Sequence, residues 1–299
     1  MRSHSLLLVG LITGGAIGAG CGGSVVDVGE PRPAPYRFGT PRLLAELDTT
    51  YANQNPTLTS DLLDLYFTSD RGSDGADVWT AHRASPGDPF DSPTLVAEVS
   101  TPMYETSPAI SLDGLSLYFG SDRDGGAGAI DIWSATRPDR TAPWGGIENL
   151  AAINTATNDI PRPPGQHGLV MPMASERDTP NAYQSYLAAR TAVDQPFGAP
   201  KIISELAAAD ASVADAFLSD DGLTLLYAAA HVGTKPDLFV AWRASTTDRF
   251  SLATPLTDLN TAADERDPWL SPDGATFYFT SDRSGSLQIY EAPAWRQTR

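Results

Sequence analysis

The chain holds one cysteine, Cys21, among 299 residues. No intramolecular disulfide can form, so packing and hydrogen bonds must hold any fold together. Positive charge is also scarce: 20 Lys+Arg face 37 Asp+Glu, a formal net charge of −17. Nucleic-acid binding needs a basic face to displace counterions, and adhesion of a folded surface to anionic lipid needs the same. Both partner classes are set aside on that ground. The four histidines, His4, His82, His167 and His231, show no zinc spacing. There is no Gly-x-Ser-x-Gly elbow and no phosphate-binding glycine loop with a lysine, so nucleophilic and nucleotide chemistry have no support. An apolar period of 3.6 residues is nowhere sustained, which removes a helical bundle.

The longest apolar run opens the chain and is too short and glycine-rich to span a bilayer. Arg2 precedes Leu6-Leu7-Leu8-Val9-Gly10-Leu11-Ile12, and small residues lead on to Gly18-Ala19-Gly20-Cys21. That is the order of an export signal, residues 1–21. A lone cysteine at its end resembles the bacterial lipoprotein signal, which implies Cys21 as the lipid-bearing residue. Gly18 departs from that pattern, where a larger aliphatic residue is usual, and plain secretion with cleavage near Gly20 is the alternative. Either way the protein is expected outside the cytoplasm, periplasmic or on the outer surface, touching membrane only through a lipidated Cys21. Residues 22–36, punctuated by Gly and Pro, read as a flexible tether.

Repetition fills the rest. Ser271-Pro272-Asp273-Gly274 is a tight turn, Thr276–Thr280 a β-branched and aromatic strand, and Ser281-Asp282-Arg283 a charged loop. Copies run from Ser111 to Arg123 and from Thr59 to Arg71. A second marker is an aromatic followed nine positions later by an aliphatic: Phe38, Phe90, Trp144, Phe197 and Phe250, spaced 52 to 54 residues apart. A third is the short strand ending in Arg83, Arg137, Arg190 and Arg243. Three markers at one period near fifty, with four short strands per unit, predict an all-β, five-bladed β-propeller of antiparallel blades over residues 37–299. The first outer strand, Phe38–Leu47, precedes the first inner one and the last blade lacks its own. It should therefore close the fifth blade and join the two ends of the chain.

The Asp-Gly turns, Tyr-Phe strands and Ser-Asp-Arg loops resemble the TolB-type, WD-repeat-like Pro-Asp propeller family. The resemblance covers nearly all of the chain after the tether, although Ser-Pro-Asp-Gly is intact only at Ser271–Gly274. It implies an extracytoplasmic binding module, its best-known member being a periplasmic protein binder. That member has six blades, so its partner is not carried over, and fold does not dictate function.

The Ser-Asp-Arg loops recur, whereas an active site needs its residues once. They read as structural, the carboxylate binding loop N–H groups and the arginine pairing across. Departures from the repeat are more telling. Blade four replaces the charged loop by Ala229-Ala230-His231, and blade three has Gln166-His167-Gly168 at its turn and Pro172 within its second strand. Pro172 should force a bulge or a broken inner strand there, and His167 and His231 are candidate binding residues on a shared surface. The first residues of the inner strands should line the central channel: Asn55, Ser107, Ile160 or Pro161, Asp215 and Asp267. Asn55, Ser107, Asp215 and Asp267 are the other candidate binding residues. Converging carboxylates there could hold calcium through oxygen ligands or act as an acid/base pair in glycoside cleavage. Acid and base need different environments at one unique place, and these acids are distributed. The expectation is a monomeric, non-catalytic scaffold without cofactor that recognises a protein or an envelope polysaccharide. A carbohydrate-active hydrolase is the alternative.

Overall fold

The computed structural model describes residues 35–72, 75–206, 211–231 and 233–297. Cys21, the export signal and all of the tether before Pro35 lie outside them. The described residues form a five-bladed β-propeller whose sheets are antiparallel throughout. Blade 1 runs through Asn53–Leu58, Asp64–Ser69, Asp77–His82 and Thr94–Leu95. Blade 2 comprises Glu105–Ile110, Ser116–Ser121, Asp131–Thr136 and Gly145–Asn149. Blade 3 comprises Asp159–Pro161, Val170–Ser175, Gln184–Ala189 and Lys201–Ile202. Blade 4 comprises Ala211–Leu218, Thr224–His231, Asp237–Trp242 and Thr254–Pro255.

Blade 5 is completed by the chain's beginning. Glu265–Leu270, Thr276–Ser281 and Gln288–Arg296 receive Tyr36–Phe38 and Arg42–Leu43, both paired with Gln288–Arg296. Tyr36, counted with the tether from sequence, is a buried strand residue. It stacks with Phe38, whose ring lies 4.8 Å from that of Phe277. This closure removes the open edge that a repeat array otherwise exposes.

The sequence markers are explained by what they touch. Arg83, Arg137, Arg190 and Arg243 each donate from Nε to a turn carbonyl, of Leu62, Gly114, Gly168 and Gly222. Each guanidinium also lies 4.3–4.4 Å over the marker aromatic, Phe90, Trp144, Phe197 or Phe250. A cation on an aromatic face contributes about 0.5–2 kcal/mol depending on desolvation. The aromatic reaches on to the blade before it, Trp144 packing edge-on against Tyr66 and Phe197 against Tyr118.

The second arginine series ties consecutive blades. Arg71, Arg123, Arg177 and Arg283 donate from Nη2 to the carbonyls of Leu47, Val99, Ile153 and Leu259, the aliphatic markers. The same nitrogen reaches the first inner-strand polar residue, Asn53, Glu105, Asp159 or Glu265. Asp70, Asp122 and Asp282 accept from the backbone N–H of Ala52, Tyr104 and Asp264. The recurring Ser-Asp-Arg is thus structural, as its repetition implies. Blade 4 loses both ends of this link, with Val213 at the acid position and His231 at the arginine position.

Turn chemistry follows the same logic. Ser271 Oγ donates to Asp273 Oδ1, which accepts from Ala275 N, and Gly274 supplies the left-handed φ of +69°. In blade 1 Leu62 stands at that position with φ +61°, a conformation costly for a side-chain-bearing residue.

Candidate functional site

The inner strands of four blades carry the same irregularity. Register shifts fall between Gln54 and Thr57, Thr106 and Ala109, Ala214 and Phe217, and Arg266 and Trp269. In each, two residues oppose one, and the first takes a positive φ: Asn55 +56°, Ser107 +50°, Asp215 +59° and Asp267 +56°. Asn and Asp tolerate this region better than most residues because a short polar side chain can bond locally. Pro56, Pro108 and Pro268 follow three of them, at a place where no ladder N–H is required.

Blade 3 cannot do this. Its equivalent residue is Pro161, whose ring holds φ near −65°. Asp159, Ile160 and Pro161 therefore pair in step with Ser175, Ala174 and Met173, and Arg162 N donates to Pro172 O at 3.0 Å. The break expected beside Pro172 falls in the inner strand: its ladder stops at Pro161 and Met173 and resumes only as the single bridge of Gly165 to Val170, one residue out of step, while Val170–Ser175 pairs along its whole length with Gln184–Ala189. Proline needs only its missing N–H to be unneeded, and the irregularity sits in the neighbouring strand, described as just three residues.

With the irregularity displaced past Pro161, Arg162 reaches across the channel. Arg162 Nη2 bonds Asp215 Oδ1 of blade 4 and, at 3.0 Å, Asp267 Oδ1 of blade 5. Asp267 is 2% exposed and also accepts from Asn55 N at 3.1 Å and Asn55 Nδ2 at 2.6 Å. Burial lowers the Arg162 pKa, and the charge of Asp267 works against that. Arg162 Nε is buried with no partner. One guanidinium thus joins two carboxylates, and through Asp267 the network reaches blade 1.

Above this bridge lies a cavity of about 170 Å³. Its floor is Asn55, Ser107, Arg162, Asp215 and Asp267; its mouth takes one residue from each blade, Gln54, Thr106, Ile160, Ala214 and Arg266. Tyr104, Ala174 and Tyr183 complete the wall. Burial opposes the charge of Arg266, but the hydrogen bond to Asp264 and the charge of Asp267 outweigh it and raise its pKa. Burial, then the charge of Glu176, pushes the Tyr183 hydroxyl up to about 12. A second cavity, about 230 Å³, opens at the Ser-Asp-Gly turns and shares no lining residue with the first.

The structure therefore gathers Asn55, Ser107, Asp215 and Asp267 around one space, as the strand order implied. His167 and His231 are not brought together. His167 Nδ1 pairs with Asp220 Oδ2 at 2.9 Å, just before the strand Thr224–His231, and His231 ends that strand roughly 24 Å away. Sequence reasoning missed Arg162, the residue that ties the site together. The signal was Pro161 itself, a residue unable to adopt the bulge that its counterparts share. Among the described residues no group of three or more His, Cys, Asp or Glu side chains is placed to hold a metal.

No family model and no curated protein matches the chain. Solved structures do. It is similar to TolB from Acinetobacter baumannii, at 16% identity and a TM-score of 0.54, over 85% of this chain and 57% of that one. An endo-arabinase from Bacteroides thetaiotaomicron VPI-5482 is similar at 12% identity and a TM-score of 0.61, over 86% of this chain and 98% of that one. An α-L-arabinofuranosidase from Podospora anserina follows at 12% identity and a TM-score of 0.55, over 87% and 96%. Likeness at such identities speaks for the fold alone.

Proposed function

We propose that this protein is a non-catalytic, extracytoplasmic binding propeller that recognises a protein or an envelope polymer at the channel face. The observation that carries the reading is the state of the two channel carboxylates. Asp215 and Asp267 accept from the same Arg162 nitrogen. Glycoside cleavage needs one protonated and one ionised carboxyl, typically about 5–10 Å apart with substrate between them. Here both accept from one Arg162 nitrogen, so a guanidinium occupies the space between them where a substrate would have to lie.

The hydrolase reading draws support from one feature, two acids side by side at the foot of a cavity. Incubating the full chain with debranched arabinan and with aryl glycosides, and measuring reducing ends, separates the two. A binding module releases none. Turnover that disappears in Asp215→Asn would overturn the proposal. Export and lipidation at Cys21 belong to the same reading and rest on residues 1–21. Among the described residues no helix is long and apolar enough to cross a membrane. Labelling cells with a radiolabelled fatty acid, for the native chain and for Cys21→Ser, tests the anchor; equal labelling of both would refute it.

A further inference from the structure

The channel cavity is spanned by a bridge at its buried end and unevenly lined above it. Arg162, Asp215 and Asp267 cross the axis beneath it, and the cavity at the other face is separate. A ligand entering from this face meets that bridge. Its volume, about 170 Å³, compares with the roughly 150 Å³ apolar cavity that holds one benzene. There is room for one six-membered ring.

The five mouth positions are not equivalent. Blades 5, 1 and 2, adjacent in the ring, present Arg266, Gln54 and Thr106, while blades 3 and 4 present Ile160 and Ala214. Tyr183 lies on the apolar side, its carbonyl accepting from Val213 N at 2.8 Å beside Ala214. One half of the mouth offers hydrogen bonds and the other an apolar wall, and each side carries a tyrosine, Tyr104 beside blade 2 and Tyr183 beside Ala214. Both cations are already paired, Arg266 with Asp264 and Arg162 with Asp215 and Asp267, so three carboxylates face two guanidinium groups. No surplus cation is left to select an anion.

We infer that this cavity binds the terminal ring of a neutral sugar chain, resting on the reading of the channel face as a non-catalytic binding surface. A pyranose has a C–H face that suits an aromatic or aliphatic wall and a hydroxyl edge that suits Gln, Thr and Arg donors and acceptors. The bridge at the buried end favours a chain end as occupant over the middle of a chain.

The test uses the full chain with methyl glycosides of glucose, galactose, arabinose and N-acetylglucosamine, then the trisaccharide of whichever binds, by saturation-transfer NMR and calorimetry. At least one sugar is expected to bind with a Kd on the order of millimolar. Tyr183→Ala should weaken it about tenfold, a loss near 1.4 kcal/mol, and Ala214→Trp should abolish it. Capping one end of the trisaccharide should abolish binding and capping the other should not. Gln54→Ala, a smaller change at the same mouth, should weaken binding if Ala214→Trp does not fold. Absence of any sugar signal, or a signal unchanged in the mouth variants, overturns the inference, and tolerance of caps at both ends overturns the chain-end part of it. Release of free sugar during the titration would overturn the non-catalytic reading while leaving sugar recognition intact. A purified protein partner that binds through the mouth with no sugar response would do the reverse.

Discussion

Replacing Arg162 by Met keeps most of the side-chain volume and removes the charge that bridges the channel. Two carboxylates then face one another with no cation between them, one of them 2% exposed. Breaking a buried pair by removing one partner costs about 3–5 kcal/mol, because the remaining charge stays desolvated. For a domain of this size each kcal/mol lowers the melting temperature by about 2–4 °C, so Arg162→Met should melt roughly 6–20 °C lower. Combining it with Asp267→Asn removes the stranded charge. Asn can still accept at Oδ1, although its amide now meets Asn55. The double variant should lose less than the sum of the singles by about 1 kcal/mol or more, the signature of direct coupling. Urea denaturation of the four proteins measures this cycle. A loss under about 1 kcal/mol for Arg162→Met, or strict additivity, would refute the reasoning and mean that water solvates the acids from the cavity.

Other consequences can be checked on the same scale. Ser107 sits at φ +50° with its side chain 3.3 Å from Thr106 Oγ1. Ser107→Gly should fall within about 0.5 kcal/mol of the native chain, whereas Ser107→Val should cost about 1–2 kcal/mol or more by denaturant titration. Arg190→Lys loses both the Nε bond to Gly168 and the planar stack on Phe197, so it should destabilise by about 1–2 kcal/mol despite keeping its charge. Burial alone would raise the Asp61 pKa, but its bonds to Arg140 and Thr59 outweigh this and hold it at about 2. Its folded value lies below the ordinary 3.8, so its stabilisation is present above about pH 4 and fades as pH falls through about 2. Asp61 is 38% exposed, which limits the effect to about 1 kcal/mol. Melting curves of Arg140→Met between pH 5 and 2 should show a smaller acid-dependent loss than the native chain; parallel curves would sink the idea.

The repeat was legible because each blade solves the same local problem with the same residues. The Asp-Gly turns, the arginine-capped aromatics and the period near fifty are local signals, and they suffice for strand order, blade number and closure by Phe38. They suffice also to place Asn55, Ser107, Asp215 and Asp267 at one depth of the inner strands. What they could not show is a contact between residues 105 positions apart, as Arg162 and Asp267 are. Pro161 signals only that a positive φ is forbidden; where the next side chain goes depends on the blades opposite. The same limit separates His167 from His231: both mark departures from the repeat, but one belongs to a turn and the other to the far end of a strand. Local chemistry specifies the elements, because turns and strands are decided by neighbours along the chain. The site was decided by closure of the ring, which alone sets five non-equivalent strands facing one space.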